Sequence, residues 1–315
     1  MELGQWPNEC GYCQDVEDNH RADSVRGMAN QAYADYTPND LFLEIRPGNT
    51  CNLACQTCWP EASSRVTQFH QRAGLIQSVD SRSITNFDFL LPVANRIRDI
   101  SLLGGEPFYD VNCRSFISWA AEHTQANLVT FTNGTHVDWN VIDQWPSTMT
   151  LVFSLDAVGQ PAEYVRYGCE WNNVLNNYQQ ARWHPKVSAR VNVTTSVYNY
   201  HLLEDLIDFL LDDWPEVVTF GTPMELYLRE GAVPDSHRHG IADSVSRSVE
   251  KLQTSAVEIN QRHNAVNALQ SIVDQLREPG DAVLFKQWQT FAKKMDSVKN
   301  IKVQDYCLTL ANMLS

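Results

Sequence analysis

Cys51-Asn52-Leu53-Ala54-Cys55-Gln56-Thr57-Cys58 sets three thiols in one short stretch at C-x3-C-x2-C spacing. Thiolates are the ligands of iron–sulfur clusters, and a four-iron cubane is normally held by four of them. A compact set of three leaves one iron without a protein ligand and open to another molecule. Structural zinc sites pair two knuckles of two ligands each, whereas a single loop here offers three with no adjacent histidine. Buried thiols without a metal have no packing reason to cluster at these intervals.

Such a loop needs a scaffold, and the chain is large enough to build one. Its 315 residues, 43% hydrophobic, suit one large domain, or one domain with appendages. No apolar run approaches the roughly 18–20 residues that span a bilayer, and Met1-Glu2-Leu3-Gly4 lacks a basic-then-apolar signal pattern. The expectation is a cytoplasmic protein without a membrane partner. Eight cysteines in that compartment point to metal or redox use rather than disulfides, and they make the sequons at Asn133 and Asn192 irrelevant to glycosylation. With 24 basic and 38 acidic residues the net charge is −14, which leaves nucleic-acid binding unsupported.

Residues 1–38 are polar and turn-rich and read as an N-terminal cysteine-containing appendage. From Leu41 the sequence alternates short β-rich runs with amphipathic helical stretches, the pattern of β/α units on a parallel sheet. Strands are predicted at 41–46, 99–103, 128–132, 148–154, 187–194 and 217–220. Helices are predicted around 63–73, 84–97, 114–122, 173–183 and 202–211, the last with Leu202, Leu203, Leu206, Ile207, Leu210 and Leu211 at helical spacing, so that one face packs on the sheet. Six such units predict an α/β fold with a partial (β/α)6 barrel over 39–225. Residues 226–315 form a C-terminal helical region, in which Leu269, Ile272, Val273 and Leu276 make an apolar stripe.

Polar motifs fall at the C-terminal ends of successive predicted strands, where parallel α/β folds assemble their sites. The cysteine loop follows the first. Gly104-Gly105-Glu106-Pro107 follows the second, with glycines suited to close backbone approach and a carboxylate able to accept from an ammonium group. Thr132-Asn133-Gly134 follows the third and Ser154-Leu155-Asp156 the fourth.

In this order the motifs resemble the radical S-adenosylmethionine superfamily, in the branch that often carries a twitch or SPASM-type cluster region. The resemblance covers roughly 40–225. It departs in one place, where Thr57 stands for the usual aromatic before the third cysteine, although Trp59 follows. It implies a partial barrel in which Cys51, Cys55 and Cys58 hold a [4Fe–4S] cluster and S-adenosylmethionine chelates the open iron. Gly104, Gly105, Glu106 and Pro107 would receive the methionine amino group. Ser154 and Arg166 would help with carboxylate and ribose, with Thr132, Asn133, Asp156 and Asn192 as further cofactor contacts. The implied activity is reductive cleavage to a 5′-deoxyadenosyl radical that abstracts hydrogen from a substrate. A peptide, a protein or a small molecule would be that substrate, and an electron donor such as a flavodoxin or ferredoxin would be needed. The segment 231–240, with His237, Arg238 and His239, is a candidate cover loop.

Cys10-x2-Cys13 resembles the segment preceding the barrel in twitch-bearing members, and makes Cys10 and Cys13 a candidate second iron–sulfur site. Two ligands are not a site. Completion would draw on Cys113, Cys169, Cys307, a partner chain or upstream sequence. Two other functions are consistent with the residues: a non-catalytic iron–sulfur scaffold that docks a partner through its C-terminal helices, and a nucleic-acid- or nucleotide-modifying enzyme of the same chemistry.

Overall fold

The computed structural model describes residues 33–79 and 83–315, together with residues 11, 14, 18, 27 and 31. Cys10 and Cys13 lie outside the described residues. The chain divides into two compact units, Met1–Leu41 and Phe42–Ser315. In the first, a tight turn is closed by Thr37 N donating to Asp40 Oδ2 at 2.7 Å, after Tyr33 and Tyr36 meet edge to face.

The second unit is built on six parallel strands in the order β1 to β6, curled into a half-barrel with helices around it. The strands are β1 (Leu41–Ile45), β2 (Ile97–Leu102), β3 (Asn127–Thr132), β4 (Met149–Ser154), β5 (Val187–Thr194) and β6 (Val218–Gly221). Each falls within two residues of its predicted bounds. Because all six run the same way, with the return of the chain carried by the connections between them, their C-terminal ends emerge at one edge. Register places Ser154 beside Asn192 and Asn192 beside Thr219 on one face of the sheet.

The helices are α1 (Ser64–Arg72), α2 (Val111–His123), α3 (Trp139–Gln144), α4 (Gly159–Val165), α5 (Trp171–Trp183) and α6 (Leu203–Asp212), then α7 (Asp235–Thr254), α8 (Ile259–Arg277), α9 (Ala282–Lys299) and α10 (Leu308–Leu314). In α6 the leucine face is buried as its spacing predicts, with Leu203, Leu206, Ile207 and Leu210 fully inside. The stripe on α8 is buried within the chain, against α7 and β6, so it is a packing face and offers no free surface.

Two expectations are corrected. The helix predicted over 84–97 is a run of 3-10 turns, Asp88–Arg96, followed directly by β2. Pro92 lies inside it, lacks the N–H that an α-helix requires and collides with the preceding turn. The cover loop expected at 231–240 is a 3-10 turn running into the first turns of α7. Its Arg238 is buried, donating to the carbonyls of Gln275, Leu276 and Glu278 at the end of α8 and of Glu230 and Val233. The carbonyls of a helix's last turn lack i+4 donors, and a guanidinium satisfies several at once.

Candidate active site at the strand-end edge

The cysteine loop follows β1 and is held from four sides. Thr50 N donates to Asp110 Oδ2 at 2.7 Å, while Asp110 Oδ1 caps α2 by accepting from Asn112 N and Cys113 N. One carboxylate thus satisfies a helix N-terminus and the loop together. Ala54 N donates to Tyr167 O at 2.9 Å and Gln56 N to Val165 O at 2.8 Å, so the loop pairs with the chain at the end of α4. Ser63 Oγ donates to Leu53 O, and the Arg65 guanidinium to Asn52 O. On the fourth side the ammonium of Lys299, the last residue of α9, donates to Ala54 O at 3.0 Å and Gln56 Oε1 at 2.9 Å.

The Gly-Gly-Glu-Pro segment packs directly on this loop. A Cβ on Gly105 would fall on the carbonyl oxygens of Asn49 and Thr50, and one on Gly104 would lie 2.9 Å from Cys113 Sγ. Glycine is required here by the approach of the loop backbone itself. Glu106 N donates to Thr50 O at 3.0 Å, and its buried carboxylate accepts from Thr132 Oγ1 at 2.8 Å and from Asn133 N at 2.6 Å. Burial raises this carboxyl to about 7, against the hydrogen bonds from Asn133 and Thr132. Asn133 Nδ2 in turn donates to Asn52 Oδ1 at 2.9 Å and lies 3.9 Å from Cys51 Sγ. Gly134 turns the chain with φ 74°, a left-handed conformation that favours glycine.

Beyond β4 lies a buried ion pair. Arg166 Nη1 donates to Asp156 Oδ2 at 2.7 Å, and Asp156 Oδ1 accepts from Thr194 N at 2.8 Å. Asn199 Nδ2 donates to Asp156 O, tying the turn after β5 to the end of β4. The Nε of Arg166 is buried without a partner among the described residues.

These groups enclose one cavity of about 270 Å³. Cys51, Cys55 and Cys58, Gly104, Gly105 and Glu106, Thr132 and Asn133, Ser154, and Arg166 all line it. Pro107, Asp156 and Asn192 do not; Asp156 acts from behind Arg166, and Asn192 accepts from Thr219 Oγ1 at 2.9 Å on the sheet face. The cavity also takes in residues that the motif reading passed over: Arg46 at the end of β1, Thr194, and the turn 221–224 after β6. Their one signal in the sequence is position, each standing at a strand end. Trp59, Phe131 and Met224 are exposed at its rim.

The donor set fits an iron–sulfur group. Burial raises the thiols, Cys51 to about 11, and the mutual repulsion of the three raises Cys51 and Cys58 further. Three thiolates on one cavity are stable only beside compensating positive charge, which metal ions bound in exchange for protons would supply. Among the described residues no group of three or more His, Cys, Asp or Glu is set to hold a single metal ion. The other cysteines among the described residues are dispersed. Cys113 is buried with Sγ 3.9 Å from Leu103 O, Cys169 is buried with Sγ 3.7 Å from Ala162 O, and Cys307 lies 3.1 Å from His201 Nε2.

No family model and no curated protein matches the chain. Solved structures match it in fold. One is native anSMEcpe with bound AdoMet, at 13% identity and TM-score 0.50 over 71% of this chain and 62% of that one. Streptococcus suis SuiB bound to S-adenosylmethionine matches at 13% identity and TM-score 0.47, over 81% and 56%. Methylornithine synthase (PylB) matches at 13% and 0.42, over 67% and 64%. The chain therefore spans about 60% of the length of these proteins, and the likeness to anSMEcpe is one of fold.

Proposed function

We propose that the chain is a radical S-adenosylmethionine enzyme whose Cys51, Cys55 and Cys58 hold a [4Fe–4S] cluster. The observation that carries this reading is the convergence of three thiols and three strand-end motifs on one cavity at the C-terminal edge of a six-stranded parallel half-barrel. That anSMEcpe, a protein of similar fold, has been solved with AdoMet bound supports it. Bound together, cluster and S-adenosylmethionine supply reductive cleavage to a 5′-deoxyadenosyl radical able to abstract hydrogen from an unactivated carbon.

The chain's own residues have separate tasks in this reading. The loop from Arg46 to Ala62 presents the thiols, and its backbone ties to Val165, Tyr167 and Asp110 fix their spacing. The Glu106 carboxylate, set by Thr132 and Asn133, offers its remaining lone pairs to an ammonium group. Arg166, oriented by Asp156, offers its unpartnered Nε side to a carboxylate or ribose, and Ser154 contributes a hydroxyl. The exposed apolar rim of Trp59, Phe131 and Met224, with Arg46 also lining the cavity, suits a substrate that carries both apolar and anionic groups. A peptide is the substrate class we favour, and its support is the resemblance of the N-terminal segment. An electron donor of the flavodoxin or ferredoxin class would reduce the cluster.

Anaerobically reconstituted protein with dithionite should convert S-adenosylmethionine to 5′-deoxyadenosine, and Cys55→Ala should not. Wild-type protein that holds a cluster yet forms none of this product would sink the reading. Iron and sulfide counts on the same sample decide between one cluster and two, and loss of the second count in Cys10→Ala would place it at Cys10 and Cys13.

A further inference from the structure

Lys299 is a buried lysine with no carboxylate partner among the described residues. It is 5% exposed, and its ammonium donates only to neutral oxygens, Ala54 O and Gln56 Oε1, on either side of Cys55. The Tyr167 ring lies 5.2 Å from Nζ and gives modest cation–π support. The nearest acid on its own helix, Asp296, accepts from Tyr164 OH at 3.0 and 3.1 Å and attracts Lys299 without closing an ion pair. Desolvating an ammonium with no ion-paired counter-charge is expensive, so a position like this one gains stability when an anion is added nearby.

The placement is over-determined. Asn300 adopts a left-handed conformation (φ 55°), and Ile301 N donates to Asp296 O at 3.0 Å, which ends α9 immediately after Lys299. Tyr167 OH donates to Lys299 O at 3.1 Å, while Tyr167 O accepts from Ala54 N. Beneath, Met295, Phe291 and Val298 of α9 pack with Ala54, Val66, Phe69 and Cys58. The last turn of α9, the end of α4 and the cysteine loop therefore form one closed set of contacts.

We propose that Lys299 is a positioning residue that seats the cysteine loop and supplies the counter-charge of the cluster, easing the cluster's one-electron reduction. This rests on the cluster reading above. With three thiolates, a four-iron cubane carries one net negative charge when oxidised and two when reduced. A fixed cation beside Cys55 stabilises the second state more than the first. The electron comes from an external one-electron donor, with no bond made or broken and no proton moved at Lys299.

The test is the midpoint potential of the reconstituted cluster, followed by electron paramagnetic resonance during dithionite titration. It is measured in wild type, Lys299→Arg, Lys299→Met and Lys299→Gln. Met and Gln should move the midpoint to more negative potential, with Arg close to wild type. Gln keeps a donor without charge and serves if Met does not fold. A wild-type midpoint in either uncharged variant overturns the proposal, as does loss of iron from all three variants, which would leave only a structural role. Wild-type protein that binds no iron or sulfide would instead overturn the cluster reading, and the proposal with it.

Discussion

Arg166 closes on Asp156 at 2.7 Å, with the carboxylate fully buried and the arginine among the residues that line the cavity. The pair brings the end of α4 to the end of β4, and through Thr194 to the end of β5.

Breaking that pair from the acidic side should be severe. Asp156→Ala leaves a buried guanidinium uncompensated and should lower unfolding free energy by about 3–5 kcal/mol in urea denaturation. Adding Arg166→Met should recover part of the loss, because the stranded charge goes with it. A double variant no more stable than Asp156→Ala would contradict this.

Glu106 gives the fold a pH dependence of unusual sign for a carboxylate. Its folded value of about 7 lies above the ordinary 4.5, so between these values the folded chain holds the proton more tightly than the unfolded chain. Its contribution to stability is therefore full below pH 4.5 and declines as pH rises through about 7. Glu106→Gln should remove this slope, measured as melting temperature against pH on the metal-free protein.

At Gly105 a single methyl group is the probe. Gly105→Ala forces the strand-end segment off the Asn49 and Thr50 carbonyls, and overpacking of this kind costs about 1–3 kcal/mol. Because the loop must yield, iron retained after reconstitution should fall along with the melting temperature. Cys113→Ala, next to Gly104 yet outside the triad, should keep its iron.

Far from the site, Glu204 on α6 accepts from Arg247, Ser244 and Lys251 on α7. The hydrogen bonds from Arg247 first, then Ser244 and Lys251, hold it down at about 2 rather than 4.5. Here the unfolded chain binds the proton more tightly, so the contribution is present above pH 4.5 and lost as pH falls through about 2. Glu204→Gln should be less stable at pH 7 and should flatten the acid limb, with the difference shrinking in high salt.

The half-barrel was legible because parallel strands announce themselves locally, as short apolar runs, each of the first four followed by a polar strand-end motif. The triad was legible through ligand spacing. Arg46 and the 221–224 turn sit at strand ends too, but with residue types that carry no motif. The helix expected at 84–97 failed on one proline, and the cover loop on an arginine whose partners lie 40 residues away at Glu278. Lys299 had no local signal at all; as a last-turn lysine it reads as ordinary solvated charge, and only the tertiary fold turns it inward.

The bond from Lys299 to Ala54 spans 245 residues of chain. During synthesis, every strand of the half-barrel and all three thiols leave the ribosome well before the residue that fastens the cysteine loop. A nascent chain stalled before α9 therefore holds the cysteine loop from three of its four sides, through Asp110, the end of α4, and Ser63 with Arg65. The loop's complete set of contacts thus depends on a residue near the far end of the chain, and it closes only once α9 is in place.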